Sequence, residues 1–318
     1  MASDNVDLIV VADFFANELI GGGELTLEAI LDACPFKIER IKSNEITERF
    51  IQVNKDKHWI FGNFAGVSRS NLIEIIRTVR KYSVIEMDYK YCRFRSSHIH
   101  KIQTGQECDC NQQDCGRFIL GMFNRASQVF FMSEGQLNEY KRLFPIMEKM
   151  AFKLVVQGST FSKKDLNLIK ELIGKSLEEK INSYAVARPG YPAGQIILES
   201  AKQKADKWLV LSGGSAIKGQ KETEEYCKAN NIPYDLVGGN VGHELFLLVM
   251  SCYKGLIFHP VGFDTNPRIT IEAKLLGLEL DLNDNVQNKY DSWFNQDIDS
   301  LYDYLFDLPT KFWERFKI

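Results

Sequence analysis

Short apolar runs recur along the chain, and between them lie stretches whose apolar positions fall three and four residues apart. In the N-terminal half the runs at 6–15, 58–64, 82–89, 128–133 and 152–158 read as strands buried on both faces. The intervening LTLEAILDAC, NLIEIIRTVRKY, EGQLNEYKRLF and KKDLNLIKELIGK carry the helical spacing. The segment 187–194, ARPGYPAG, holds two prolines and two glycines in eight residues and predicts a hinge. Alternation then restarts with runs at 207–214, 234–239, 255–260 and 278–283. Strands alternating with helices predict parallel sheets covered on both faces. The expectation is an α/β protein of two Rossmann-like domains, residues 1–186 and 187–288. The aromatic, amphipathic stretch 289–318 then forms C-terminal helices that cross back to the first domain.

Open parallel sheets bind ligands beyond the carboxyl ends of their strands, so the loops that follow the later strands are the candidate site. The first holds Ser212, Gly213, Gly214, Ser215 and Lys218; the second holds Gly238 and leads to His243; the third holds Asp264, Thr265, Asn266, Pro267 and Arg268. All should lie on one rim. Glycines let backbone N–H groups approach a phosphate, Lys218 supplies a counter-charge, and carboxylates accept hydrogen bonds from vicinal hydroxyls. Asn266 and Pro267 read as the cap and first residue of a helix whose unpaired N–H groups suit an anion. Arg268 and Glu272, four apart, share a face of that helix, a spacing equally typical of an ordinary surface ion pair. The inventory fits a sugar nucleotide. His58, His243 and His259 sit near element ends and read as structural histidines, with His243 also on the donor rim.

Composition narrows the class without choosing within it. At 318 residues and 45% hydrophobic the chain can build two cores. A formal charge of −3 gives no global pull toward nucleic acid or anionic membrane. No apolar run reaches the ~18–20 residues that a bilayer span needs, and the acidic start lacks the basic flank of a leader, so a cytoplasmic protein is expected. Asp297 and Asp299 form an Asp-x-Asp that reads as a solvated helix face rather than a metal site.

The glycines Gly21, Gly22 and Gly23 with Glu24 after the first strand, Lys218 before Gly219, and an acid eight residues before the Glu of IEAKLLG resemble the retaining GT-B glycosyltransferases of family 4. DFFANELIGGGELTLEAI and DTNPRITIEAKLLG also resemble short glycosyltransferase-like proteins of large tailed phages. The resemblance implies that Glu272 holds donor ribose hydroxyls, Asp264 the transferred sugar, Lys218 the diphosphate, and the Gly21 turn closes over the donor. It implies retention without a metal, the leaving diphosphate helping to deprotonate the acceptor. Position 213 is glycine where the family commonly has arginine, so Arg268 is the candidate replacement. The phage likeness implies an acceptor such as a hydroxymethylated base in DNA, which would set Lys90, Arg93, Arg95 and Lys101 along the acceptor groove, with Asp13 and Asp88 as hydrogen-bonding groups. A glycan, protein or small-molecule acceptor, and a binding protein without transfer, stay open.

One constellation stands outside that scheme. Cys92, Cys108, Cys110 and Cys115 fall within 24 residues, with His98 and His100 among them, in an insertion at about 92–116. Thiolates and imidazole suit a structural zinc, but C-x-C-x4-C is not a standard pair spacing, and reduced thiols in a surface loop read equally well.

Overall fold

The computed structural model describes residues 6–176, 178–180, 182, 206–213, 215–238 and 242–316. The hinge expected at 187–194 lies outside the described residues, as does Gly214. The chain forms two compact units, Met1–Ser162 with Asp307–Ile318, and Lys163–Phe306. The helix Lys163–Leu172, expected to close the first domain, belongs to the second unit.

The first unit is built on six parallel strands: β1 (Leu8–Ala12), β2 (Ile38–Lys42), β3 (His58–Phe61), β4 (Lys81–Glu86), β5 (Gln128–Phe131) and β6 (Leu154–Val156), in the order β2-β1-β3-β4-β5-β6. The period of two sends neighbours to opposite faces, and both faces are covered. Ile9, Val11, Trp59, Phe61, Val84, Val129 and Phe131 enter one core with Ile51, Ile75, Phe123 and Tyr140 from the covering helices. Leu8, Val10, Ala12, Ile60, Ile85 and Phe130 enter the other, closed by Leu27, Ile30, Phe312, Trp313 and Phe316. The end of the C-terminal helix, Ile298–Glu314, thus completes the first unit, and Trp313 Nε1 donates to Ile30 O at 2.8 Å. β2 was not expected: its residues IERIK carry only two apolar side chains, as suits a strand at the sheet edge.

The second unit holds β7 (Trp208–Ser212), β8 (Tyr234–Gly238), β9 (Gly255–Phe258) and β10 (Glu279–Leu282), all parallel, in the order β10-β9-β7-β8. All four match runs read from the sequence. Among the described residues no helix is long and apolar enough to cross a membrane.

The first unit also buries an ion pair that no sequence pattern announced. Glu86, at the end of β4, is fully buried, and Lys90 Nζ lies 3.2 Å from its Oε2 with the lysine side chain 2% exposed. Tyr140 Oη donates to Glu86 Oε1 at 2.7 Å and the Lys90 amide donates to the same oxygen at 2.8 Å. Burial pushes the Glu86 carboxyl up, and Lys90 pulls it back. Removing one partner strands a charge in the core, whereas replacing both by apolar groups of similar shape does not. Lys90→Ala is therefore expected to cost about 3–5 kcal/mol in urea unfolding, and Lys90→Met with Glu86→Leu to recover much of that loss. A Lys90→Ala loss under about 1 kcal/mol would show the pair to be unimportant.

Candidate functional site

The chain runs from β7 outward to β8, then returns to place β9 on the opposite side of β7. The crevice beyond the carboxyl ends of β7 and β9 is therefore a topological switch point, where α/β sheets hold ligands. The loops on either side are laced together. Val261 N donates to Ile217 O at 3.0 Å across them, and within the β7 loop Gly213 N donates to Gln220 Oε1 at 3.1 Å. Gly219 is the tightest element: its φ is +66° and a Cβ there would stand 2.2 Å from His259 O. No other residue type fits that approach, so the turn Ala216–Lys218 is pressed onto the β9 loop and Lys218 is aimed across it.

Lys218 Nζ meets Asp264 Oδ2 at 2.6 Å, with side chains 32% and 12% exposed. Lys218 also lies over the Phe258 ring at 5.6 Å. Asp264 is fixed through its backbone, its amide donating to Asn285 O at 2.9 Å and its carbonyl accepting from Gln287 N at 3.0 Å. Two residues expected on the diphosphate and the sugar thus sit in one ion pair, the lysine the more accessible.

A second group lies deeper. The helix after β9 runs Arg268–Leu275, so Pro267 is its cap and Asn266 stands one residue before it, a shift of one from the expected start. Thr265 and Asn266 are buried. Arg268 and Glu272 do share a face, but not at the surface: both side chains are 4% exposed, with Nε 3.5 Å from Oε1. Asp165, from the helix Lys163–Leu172, lies 3.3 Å from Arg268 Nη2. His243, first residue of the helix His243–Met250, sets Nε2 2.9 Å from Glu272 Oε1 and Nδ1 3.6 Å from Asp165. Burial works against the charged imidazole, but the two carboxylates outweigh it and raise its pKa to about 9. Burial lowers the Arg268 pKa against the pull of Glu272 and Asp165. The result is two cations alternating with two anions, a rigid support behind the rim. Asp165 was missed because KKDLNL reads as a solvated helix start about a hundred residues away in sequence.

Of the remaining donor-rim residues, Ser212 ends β7 and Gly238 ends β8, where a Cβ would stand 2.9 Å from Ser212 O. Gly213 and Ser215 are described and exposed, and His259 pairs with Asp281 at 2.8 Å.

In the first unit the sheet order reverses between β1 and β3 in the same way. Asp13, just past β1, accepts from Ala65 N at 3.0 Å and Gly66 N at 3.1 Å, so it caps the turn after β3. Gly21 caps the helix Gly22–Asp32, which includes Gly23 and Glu24. Burial raises the Glu24 pKa, and Asp13 and Asp88 add to the rise. Asp88 is held by both oxygens on Arg95 Nη1 at 2.9 Å, and Arg95 has φ 57°, left-handed for a non-glycine residue. Arg93 lies over Phe94 at 4.8 Å, and Lys101 pairs with Glu107. Lys90, expected along an acceptor groove, is the buried partner of Glu86, a correction that its burial makes plain. His58 is buried on Ser83 and Phe316, and burial drops its pKa to about 4. Asp297 caps the last helix, accepting from Ser300 N at 2.9 Å.

The insertion folds into two helices, Ser97–Thr104 and Asp114–Arg125. Cys92, His100, Cys108 and Cys110 bring their ligand atoms within 4.8 Å of one another. Cys115 is not in that group. It starts the second helix and its thiol donates to Cys110 O at 3.5 Å.

No family model and no curated protein sequence matches the chain. Among solved structures it is similar to Anabaena Alr3699/HepE in complex with UDP and glucose, at 12% identity and TM-score 0.55 over 97% of this chain and 98% of that one. HepE with UDP-glucose aligns at 11% identity and TM-score 0.53 over 98% and 96%. Trehalose-6-phosphate synthase OtsA aligns at 8% identity and TM-score 0.51 over 96% and 95%. The likeness is one of fold: the chain has the GT-B fold, with two Rossmann-like α/β units.

The raised His243 pKa fixes a sign. Its contribution to stability is complete below the unfolded value of about 6.5 and is lost as pH rises through about 9. Imidazole NMR shifts of His243 should titrate near that value, and Asp165→Asn should move the midpoint down. A wild-type midpoint at or below about 6.5 contradicts the paired arrangement.

Proposed function

We propose that this chain is a glycosyltransferase that moves a sugar from a nucleotide-sugar donor to a hydroxyl acceptor with retention, with the donor diphosphate seated at the β7/β9 switch point. The observation that carries the reading is the Lys218–Asp264 pair, set by two loops at the crevice where this sheet topology holds ligands. The full-length fold likeness to proteins solved with UDP and UDP-glucose supports a nucleotide sugar as donor.

In this reading Lys218 leaves Asp264 for the diphosphate and stabilises the charge that develops there as the glycosidic bond breaks. Asp264, released, accepts hydrogen bonds from hydroxyls of the transferred sugar. The leaving diphosphate takes the acceptor proton on the same face of the ring, so catalysis is positioning and charge stabilisation and needs no metal. Glu272, held through Oε1 by His243 and Arg268, turns its other oxygen to the ribose hydroxyls. Arg268, committed to Asp165 and Glu272, acts as a positioning residue, and the counter-charge falls to Lys218. A hydroxymethylated base in DNA is the acceptor we put forward, on the likeness to tailed-phage proteins in DFFANELIGGGELTLEAI and DTNPRITIEAKLLG.

A donor-binding role without transfer is the second reading, favoured by the neutralisation of Lys218 by Asp264. Incubation with UDP-glucose and a panel of other nucleotide sugars, with and without hydroxymethylated DNA, separates the two. Nucleoside diphosphate release and a hexose-sized gain in nucleoside mass are expected. Lys218→Ala should slow release by at least about 100-fold, the usual loss of one preorganised charge-stabilising group. Donors that bind but are never turned over, whatever acceptor is supplied, would establish the binder instead.

A further inference from the structure

We propose that Cys92, His100, Cys108 and Cys110 form a closed structural zinc site in the first unit, with His100 and not Cys115 as the fourth ligand. Each offers one ligand atom, and all four atoms lie within 4.8 Å of one another. His100 Nδ1 stands 3.7 Å from Cys92 Sγ and 3.3 Å from Cys110 Sγ. A tetrahedral zinc with Zn–S near 2.3 Å and Zn–N near 2.0–2.1 Å has ligand–ligand edges of roughly 3.5–3.8 Å, so the observed spacings are close to those of a coordination shell.

The local fold explains why these four converge. Cys92 lies in the turn after β4, two residues beyond the buried Lys90. Ser96 then caps the helix Ser97–Thr104 by accepting from Ile99 N at 3.3 Å, which turns His100 inward to 5% exposure. Gly105, left-handed at φ 71°, ends that helix and sends the chain back past Cys108 and Cys110. Three of the four ligands are buried, so the site is packed around rather than open to solvent. Three thiolates and an imidazole select zinc over harder cations, and four protein ligands leave no position for a substrate. The zinc would therefore be a clasp. It ties together the turn that carries Arg93 and Arg95, the following helix and the approach to Asp114–Arg125, a segment with few apolar side chains of its own.

The proposal is independent of the donor reading, and its test uses no transferase assay. The full chain, purified reduced, should carry about one zinc by elemental analysis. After exchange, cobalt(II) should give the thiolate charge-transfer and tetrahedral visible bands of a sulfur-rich site. Cys115→Ser should keep both the metal and the bands. Cys108→Ser and His100→Ala should bring zinc content close to background. Because those variants can misfold, the wild-type cobalt spectrum stands as a separate check that needs no substitution. A reduced wild-type chain that takes up neither zinc nor cobalt overturns the site. Loss of metal in Cys115→Ser with retention in His100→Ala overturns the ligand set.

Discussion

The reversal of strand order beside β7 is the constraint from which the rest of the second unit follows. Because β8 and β9 lie on opposite sides of β7, the loops after β7 and β9 flank one crevice beyond the carboxyl ends of adjacent strands. Gly219 lets them meet closely: only a residue without a Cβ can lie against His259 O with a left-handed backbone. From that contact come the direction of Lys218 and its pairing with Asp264.

The charges around this crevice are arranged in two layers with different physics. The outer pair is partly wetted, so its Coulomb energy is modest and the lysine can exchange partners at little cost. The inner four are largely dry. A guanidinium, an imidazolium and two carboxylates lie at 2.9–3.6 Å, each compensating the desolvation of the next. Such a cluster contributes little net stability compared with an apolar core, but it holds Glu272 in one orientation. The same division recurs in the first unit. There Glu86 and Lys90 are buried as a pair beneath the more accessible Asp88 and Arg95.

The strands were legible because parallel strands covered on both faces are continuous apolar runs, and VDLIVVADFF and GLIFHP are short and rich in β-branched and aromatic residues. β2 was not, since an edge strand needs few apolar side chains and IERIK offers two isoleucines among charges. The positions of the loops after those strands were legible for the same reason: once the strands are placed, their carboxyl ends follow. What the sequence could not disclose was pairing across long separation. Asp165 reads as one more charge in a helix start, and its role is visible only when the helices Lys163–Leu172 and Arg268–Leu275 pack together. Arg268 and Glu272 show the converse, where the spacing was read correctly and only burial could tell a surface pair from an interior one. In the cysteine insertion, counting thiols pointed to Cys115. A cap at Ser96 turns His100 into the cluster instead, while Cys115 lies outside the four, its thiol donating to Cys110 O.

The most direct measurement of the central claim is a crystal structure of the chain with UDP-glucose or an unreactive analogue. The expected result is a diphosphate beyond the carboxyl ends of β7 and β9, with Lys218 Nζ moved from Asp264 onto a phosphate oxygen. A nucleotide bound elsewhere on the molecule, with the Lys218–Asp264 pair intact, would contradict the account.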